Sequence, residues 1–315
     1  MTPFAIAGIQ MHVSAGHDNV GHMKHQLDLL MARFPWVQMV VFSELAAFGP
    51  VAANAGSFHR TEETMAGWAR HHGIWLLSGS MFEQTEAELY NTATVFAPDG
   101  GIAGRYRKMF PFAPYEQGAA PGTEFLAFDV PDIGRFGVSI CYDIWFPETT
   151  RSLTAMGVEV LLHPVLTGTL DRDIELSIAR ATAAMFQCYV FDVNGIGAGG
   201  YGRSAVFDPS GTPLYQAAGQ EELIPLEIDL DQVRRQRETG LKGLGQPLKS
   251  FRDRAVDFAV YGERAAPFDY LDRLGPLEMP KRGSRAGLGG PAAAGRGTGK
   301  TAPFEVVHGT SKKAG

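Results

Sequence analysis

Short apolar runs alternate with amphipathic segments along the first 240 residues. The apolar runs have the length of buried strands, whereas the amphipathic segments repeat their apolar positions at helical spacing. This pattern predicts strands over residues 4–13, 38–43, 74–82, 91–97, 102–108, 136–141, 158–163, 188–194 and 222–228. It predicts helices over residues 17–34, 60–72, 147–156, 171–187 and 231–237. The alternation indicates an α/β protein with helices on the sheet faces, and hairpins at 98–101 and 209–211 indicate a mixed sheet.

Composition narrows the class of protein. The 315 residues are 45% hydrophobic and 20% charged, with a formal net charge of -6, which is typical of a globular chain. Without a basic stripe we expect no nucleic-acid partner, and no apolar run reaches the roughly 18 residues of a membrane span. Two distant cysteines form no disulfide framework, and the N-terminus lacks a secretory pattern. We therefore expect a cytoplasmic protein without a membrane partner.

The first candidate for chemistry is Cys141, which ends the predicted strand 136–141 shortly before Pro147 opens a helix. Ligand crevices of open α/β sheets lie at the carboxyl ends of their strands, and nearby helix and loop amides can stabilise an oxyanion. A packed core cysteine is the alternative, since free cysteine is among the most buried residue types. Cys188, at the start of another apolar strand, is interpreted as such a core residue, and a redox pair with Cys141 stays open.

Two charged residues occupy comparable positions. Glu44 follows the apolar run Val40–Ser43, and Lys108 ends the second strand of the predicted hairpin. A carboxyl group in a crevice has a raised pKa and suits a general base, while a lysine can stabilise a developing oxyanion. Each residue taken alone also fits an exposed loop or strand edge.

The order of these motifs changes the interpretation, because together they resemble the signature of the nitrilase (carbon–nitrogen hydrolase) superfamily. The motifs are Val40–Glu44, Tyr106–Lys108 and Cys141–Glu148, with further similarity in Tyr115–Gly122, Arg180–Asn194, Asp208–Gly211 and Glu227–Leu230. The resemblance covers about residues 4–240. It implies a four-layer α-β-β-α sandwich with two mixed β-sheets, and a homodimer or higher homo-oligomer.

The resemblance also implies a role for each matching residue. Cys141 matches the nucleophile, Glu44 the general base, Lys108 the oxyanion-stabilising residue and Glu116 the second active-site glutamate. The backbone N–H of Tyr142 matches a second oxyanion donor. The implied reaction converts a small-molecule amide and water to a carboxylic acid and ammonia through a thioester, with no cofactor and no metal.

The branch within the family is less sharply defined. Nitrilases proper usually carry Trp-Glu after the nucleophile, whereas Tyr142-Asp143 here resembles amidase and N-carbamoyl-amine branches. Nitrile hydrolysis and N-carbamoyl-amine hydrolysis remain alternatives that use the same triad. Trp145 lines the acyl pocket or belongs to the core, and His163 is a candidate at the border of the crevice. A redox or binding role of Cys141 is the non-enzymatic alternative.

The C-terminal part differs in composition from the rest. We expect a hydrolase domain over residues 1–280, in which 241–280 form an oligomer contact or lid. Residues 281–315 are rich in Gly and Ala, which predicts a disordered or extended tail. The run 294–301 loosely resembles a phosphate-binding loop, but no strand precedes it, so nucleotide binding is not expected.

Overall fold

The computed structural model of the protein describes residues 1–113, 115–116, 118–261 and 277. Met1–Asp253 form one compact unit, and a second unit begins at Arg254. The predicted tail 281–315, with its phosphate-loop-like run, lies outside the described residues, as does most of 262–280. The domain boundary at 280 therefore stays a prediction.

The described residues contain fifteen strands and six α-helices. The strands are β1 (Pro3–Gln10), β2 (Met39–Phe42), β3 (Trp75–Leu77), β4 (Met81–Gln84), β5 (Leu89–Phe96), β6 (Ile102–Arg107), β7 (Leu126–Val130), β8 (Gly134–Val138), β9 (Val160–Val165), β10 (Tyr189–Asn194), β11 (Ile196–Gly197), β12 (Gly200–Tyr201), β13 (Ala205–Phe207), β14 (Pro213–Gln216) and β15 (Glu222–Asp229). The helices are α1 (Val20–Arg33), α2 (Phe58–His72), α3 (Pro147–Ala155), α4 (Arg172–Phe186), α5 (Leu230–Thr239) and α6 (Pro247–Arg252). Short 3₁₀ helices lie at Ala52–Ser57, Cys141–Trp145, Leu241–Gly243 and Ala259–Tyr261.

Two mixed sheets carry most of these strands. The first has the order β15-β1-β2-β3-β5-β4, with β6 paired to β5, and the second has the order β14-β13-β10-β9-β8-β7. Parallel pairs occupy the centre of each sheet, β1–β2–β3 in the first and β8–β9–β10 in the second. The other neighbours pair antiparallel, as the predicted hairpins require. A separate small hairpin joins β11 and β12.

Alternating side chains along the central strands produce the layers. One set fills the space between the sheets, and it includes Phe4, Ile6, Val41, Phe136, Val138, Leu162 and Phe191. The opposite face of the first sheet packs on α1 and α2, through Ile9, Val40, Phe42, Leu27, Met65 and Trp68. The opposite face of the second packs on α3 and α4, through Leu161, Val190, Leu153, Leu176 and Ala183. The predicted α-β-β-α sandwich with two mixed sheets is thereby confirmed.

Several element boundaries differ from the sequence prediction. The strand predicted over 74–82 is two strands, β3 and β4, because the chain turns at Gly79 with φ +74°. Strand β7 and helix α6 were not predicted, since they span only five and six residues. Among the described residues, no helix is long and apolar enough to cross a membrane.

One polar row interrupts the apolar packing between the second sheet and its helices. His163 and Asp192 lie at the same register of β9 and β10, and both are buried. The His163 ring nitrogen Nδ1 lies 2.8 Å from the Ser139 hydroxyl, at the end of the neighbouring strand. Burial disfavours the charged imidazolium and lowers the pKa of His163 from 6.5 to about 4. His163 is therefore a neutral histidine at ordinary pH.

Gly79→Ala is expected to reduce the free energy of unfolding by more than about 3 kcal/mol, because two costs combine there. The residue has a left-handed backbone, and an added Cβ would overlap the backbone oxygen of Ser43. Gly73→Ala is the matched control: its φ is +64°, but an added Cβ meets no described atom within 4 Å. The control should lose only about 1 kcal/mol. Equal losses in urea unfolding would show that the contact with Ser43 does not matter.

His163→Gln is expected to reduce the dependence of stability on acid. The unfolded chain binds the His163 proton near pH 6.5 and the native protein only near pH 4, so the free energy of unfolding falls between these values. The loss amounts to about 3 kcal/mol in wild type and should be absent from the variant. Urea unfolding across this range measures it, with the exposed His25→Gln as control. Parallel curves for wild type and His163→Gln would contradict the assignment.

Candidate active site

The backbone at Cys141 places its side chain at the end of the second sheet. Strand β8 stops at Val138, and Cys141 begins the 3₁₀ helix Cys141–Trp145 with a left-handed φ of +44°. Such a conformation is unfavourable for a residue with a Cβ and is held only by surrounding contacts. Pro147 then opens α3 with its fixed φ at the first helical position. The thiol is thus carried by a turn between a buried strand and a helix, as predicted.

Asp143 holds this turn in place. Its carboxylate accepts hydrogen bonds from the backbone N–H groups of Ile140 and Phe110, each at 2.9 Å, and from the Tyr106 hydroxyl at 2.7 Å. Burial raises the pKa of Asp143 to about 6, and the hydrogen bonds from Tyr106 and Ile140 oppose that shift. Because Tyr106 and Phe110 flank Lys108 in sequence, the same carboxylate fastens the nucleophile turn to the end of β6.

Lys108 lies at the centre of a buried cluster. Its ammonium group is 2.8 Å from Glu44 Oε1 and 2.6 Å from Glu116 Oε2, and the lysine side chain is only 1% exposed. Asn91 donates from one amide nitrogen to both carboxylates, at 2.9 Å to Glu44 and 2.8 Å to Glu116. The structure therefore brings together Glu44, Lys108 and Glu116, which the sequence places 72 residues apart at most. Asn91 was not singled out from sequence.

Glu44 also joins the two sheets near the thiol. Its backbone N–H donates to the carbonyl oxygen of Val165, at the end of β9, at 3.2 Å. Its charge acts on the Cys141 thiol, whose pKa it raises, while the Lys108 charge lowers that pKa. Base, cation and thiol therefore interact electrostatically within one buried site.

Electrostatics in this cluster keep a proton available. Burial raises the pKa of Glu44, and the Lys108 charge opposes that shift without cancelling it. Burial likewise raises the pKa of the Cys141 thiol well above its ordinary value, and the Glu44 charge adds to the effect. Burial alone would lower the pKa of Lys108, but the charges of Glu44 and Cys141 exceed that penalty and raise it. Lys108 therefore remains a cation, and the resting Cys141 thiol keeps its proton.

A second charged group approaches the thiol from α4. Cys141 Sγ lies 3.6 Å from the Thr167 hydroxyl and 3.9 Å from Glu175 Oε1. Glu175 in turn accepts a hydrogen bond from Arg172 at 2.9 Å, and Arg172 also pairs with Asp192. All five side chains are buried. This group was not singled out from sequence, because Arg172 and Glu175 lie in a helix whose other side chains follow an ordinary amphipathic pattern.

The three remaining predicted site residues occupy different surroundings. The Tyr142 ring contacts the rings of Phe112, Trp145 and Phe146, with centroids 5.0 to 6.1 Å apart. As the second residue of its 3₁₀ helix, Tyr142 has a backbone N–H without an intrahelical partner, which suits the predicted oxyanion donor. Trp145 is 36% exposed, so it is not a core residue.

His163 lies in the polar row beneath α4, hydrogen-bonded to Ser139. Its predicted role at the border of the crevice stays a prediction. Both cysteines are free thiols, and both are buried. Within the described ranges, no group of three His, Cys, Asp or Glu side chains is arranged to hold a metal ion.

Comparison with known proteins agrees with this geometry. Residues 5–238 match the family described as carbon–nitrogen hydrolase. The omega-amidase NIT2 of Xenopus tropicalis is 30% identical over 194 residues, which cover 56% of this chain and 69% of that protein. An (R)-stereoselective amidase of a Pseudomonas species is 31% identical over 184 residues, covering 56% and 65% of the two chains. The crystal structure of a carbon–nitrogen hydrolase from Helicobacter pylori G27 superimposes with a TM-score of 0.73 at 25% identity, over 82% of this chain and 97% of that one. The chain belongs to the carbon–nitrogen hydrolase family, whose members form the nitrilase superfamily.

Proposed function

We propose that this protein is a cysteine-dependent amidase in which Cys141 attacks the carbonyl carbon of a small-molecule amide. The observation that carries the proposal is the buried ion pair of Glu44 with the Lys108 ammonium at 2.8 Å, two charges that both act on the pKa of the Cys141 thiol. A base, a fixed cation and a nucleophile in one buried site are what acyl transfer from an amide requires. The amidases among the similar proteins support the same assignment.

The first half of the reaction forms a thioester. Glu44 accepts the thiol proton as Sγ bonds to the carbonyl carbon, because the thiolate is the nucleophile. The oxyanion that develops is stabilised by Lys108 and by the backbone N–H of Tyr142. The C–N bond then breaks, and the leaving nitrogen takes the proton from Glu44 and departs as ammonia.

The second half restores the enzyme. Glu44 accepts a proton from a water molecule, whose oxygen attacks the thioester carbon. The C–S bond breaks, the acid is released and the proton on Glu44 returns to the sulfur. Glu116 positions Lys108 throughout, since its Oε2 atom accepts a hydrogen bond from the ammonium group at 2.6 Å. No step calls for a cofactor or a metal ion.

Other substrates of the same triad are second candidates. Nitriles and N-carbamoyl amines would react with the same thiol, and Tyr142-Asp143 after the nucleophile favours an amide or carbamoyl amide over a nitrile. A redox or binding role of Cys141 is disfavoured, because it gives no reason for burying Lys108 between two carboxylates. Burial of a charged cluster costs free energy, and such clusters are concentrated at functional sites.

The cellular setting is part of the proposal. Two buried free thiols are compatible with a reducing, cytoplasmic location. The family resemblance supports a homo-oligomer, with residues 241–280 as an intersubunit contact or lid and Trp145 and His163 at the border of the acyl pocket. No nucleic-acid or membrane partner is proposed.

Cys141→Ala is expected to abolish ammonia release, a loss of at least about a thousandfold in kcat, because the covalent step disappears. The measurement is ammonia release from aliphatic amides, ω-amides, carbamoyl amines and nitriles. Cys188→Ala is the matched control, since that thiol is also buried but packs in the apolar layer beneath α4, and it should retain activity.

The outcomes separate the candidates. Hydrolysis of an amide by wild type and Cys188→Ala but not by Cys141→Ala supports the amidase. Preferential turnover of a nitrile would favour the nitrilase alternative. Hydrolysis that survives in Cys141→Ala, or a folded wild type that hydrolyses no compound of the series, would contradict the proposed function.

A further inference from the structure

Glu175 is a carboxyl group beside the nucleophile that the reaction above does not use. Its Oε1 atom lies 3.9 Å from Cys141 Sγ, and the Thr167 hydroxyl lies 3.6 Å from the same sulfur. Glu175 reaches the sulfur from helix α4, whereas Glu44 and Lys108 reach the site from the ends of β2 and β6. The thiol is therefore flanked by carboxyl groups that belong to two different layers.

The charge of Glu175 is not needed to neutralise Arg172, the cation next to it. Arg172 already pairs with Asp192, and it further donates to the carbonyl oxygens of Gly202 at 3.0 Å and Arg203 at 2.8 Å. Glu175 adds a second carboxyl group to one guanidinium, in a buried place where an uncompensated charge is costly. Burial, with the charge of Asp192, raises the pKa of Glu175 to about 7. The ion pair of Arg172 with Asp192 would be complete without Glu175.

Acylation changes what Glu175 can bind. In the resting enzyme the thiol proton can be donated to Oε1. Once the acyl group is attached, the sulfur has no proton, and this acceptor loses a donor while Arg172 still fixes the orientation of the carboxyl group. A buried acceptor without a donor is unfavourable. A donor on the acyl group would restore the missing hydrogen bond.

The acyl group lies within reach of this acceptor. The carbonyl carbon bonds to Sγ, and its oxygen must point to Lys108 and the Tyr142 backbone, so the carbon chain extends away from those donors. A substituent atom on the first chain carbon is separated from Sγ by three bonds, a span comparable with the 3.9 Å between Sγ and Glu175 Oε1. A carboxylate on the acyl chain would find no unpaired cation nearby in the described part of the chain. Lys108 already pairs with Glu44 and Glu116, and Arg172 already pairs with Glu175 and Asp192.

We propose that Glu175 selects the acyl group, favouring amides that carry a hydrogen-bond donor, a hydroxyl or an ammonium group, on the carbon next to the carbonyl, and disfavouring amides that carry a carboxylate. This inference rests on the proposed amidase function and names its substrate class. Its preferred substrates are thus 2-hydroxy and 2-amino amides.

Wild-type enzyme provides the first test. We would compare kcat/KM for ammonia release from propionamide, isobutyramide, lactamide and both enantiomers of alaninamide, with succinamate as the carboxylate-bearing amide. Isobutyramide carries a methyl group where lactamide and alaninamide carry the donor, so it controls for bulk. Lactamide and one enantiomer of alaninamide should exceed isobutyramide by at least about tenfold, and succinamate should fall below propionamide.

Glu175→Gln tests the residue itself. The ratio of kcat/KM for alaninamide to that for isobutyramide should fall at least about tenfold, because the charge is lost. The lactamide ratio should fall less, since the glutamine oxygen still accepts a hydrogen bond. Asp173→Asn is the matched control: it removes a carboxylate from the same helix, but one that is 79% exposed and pairs with Arg203, and its ratios should equal those of wild type.

Failure of this inference differs from failure of the amidase assignment. Cys141-dependent hydrolysis with no preference for donor-bearing amides, with the same ratios in Glu175→Gln and wild type, or with succinamate as the best substrate, would overturn the role of Glu175 and leave the amidase standing. If Glu175→Gln does not fold, the wild-type ratios alone decide. No hydrolysis of any amide would overturn both.

Discussion

The buried ammonium group of Lys108 is the constraint around which the catalytic end of the protein is arranged. A cation that is 1% exposed is tolerated only if negative groups surround it, and here Glu44 and Glu116 both lie within 3 Å. Those partners come from the end of β2 and from the segment after β6, so the ends of these elements must converge. Asn91 completes the arrangement by holding the two carboxylates to each other.

The α/β class with a mixed sheet could be predicted from the periodicity of the sequence, whereas the two-sheet, four-layer arrangement was implied by the family resemblance. Apolar runs of strand length between amphipathic helices require two-sided burial of each sheet, and the structure has that arrangement. The turn at Gly79 could not be predicted, since the glycine is needed for the approach of the Ser43 backbone oxygen, a contact between distant segments. Element boundaries were missed where long-range contacts, rather than local pattern, determine the chain path.

The residues of the candidate site also fall into those that sequence motifs indicate and those that only the packing reveals. Glu44, Lys108, Cys141 and Glu116 could be identified because each belongs to a motif with a recognisable order, and the geometry brings them into one neighbourhood. Asn91 and the residues of α4 that approach the sulfur carry no such pattern. A polar residue in an otherwise amphipathic helix is ordinary, and only the packing of α4 on the second sheet shows that Glu175 faces the nucleophile.

The left-handed backbone of Cys141 bears on how the enzyme could change. A glycine at this position would relieve about 1 kcal/mol of conformational strain, so the backbone of this turn favours a residue that cannot react. Backbone stability and catalytic turnover therefore favour different residues at position 141. The hydrogen bonds of Asp143 hold the turn in its left-handed conformation while cysteine occupies position 141. In a related protein that no longer needs catalysis, we expect glycine to replace cysteine at this position first.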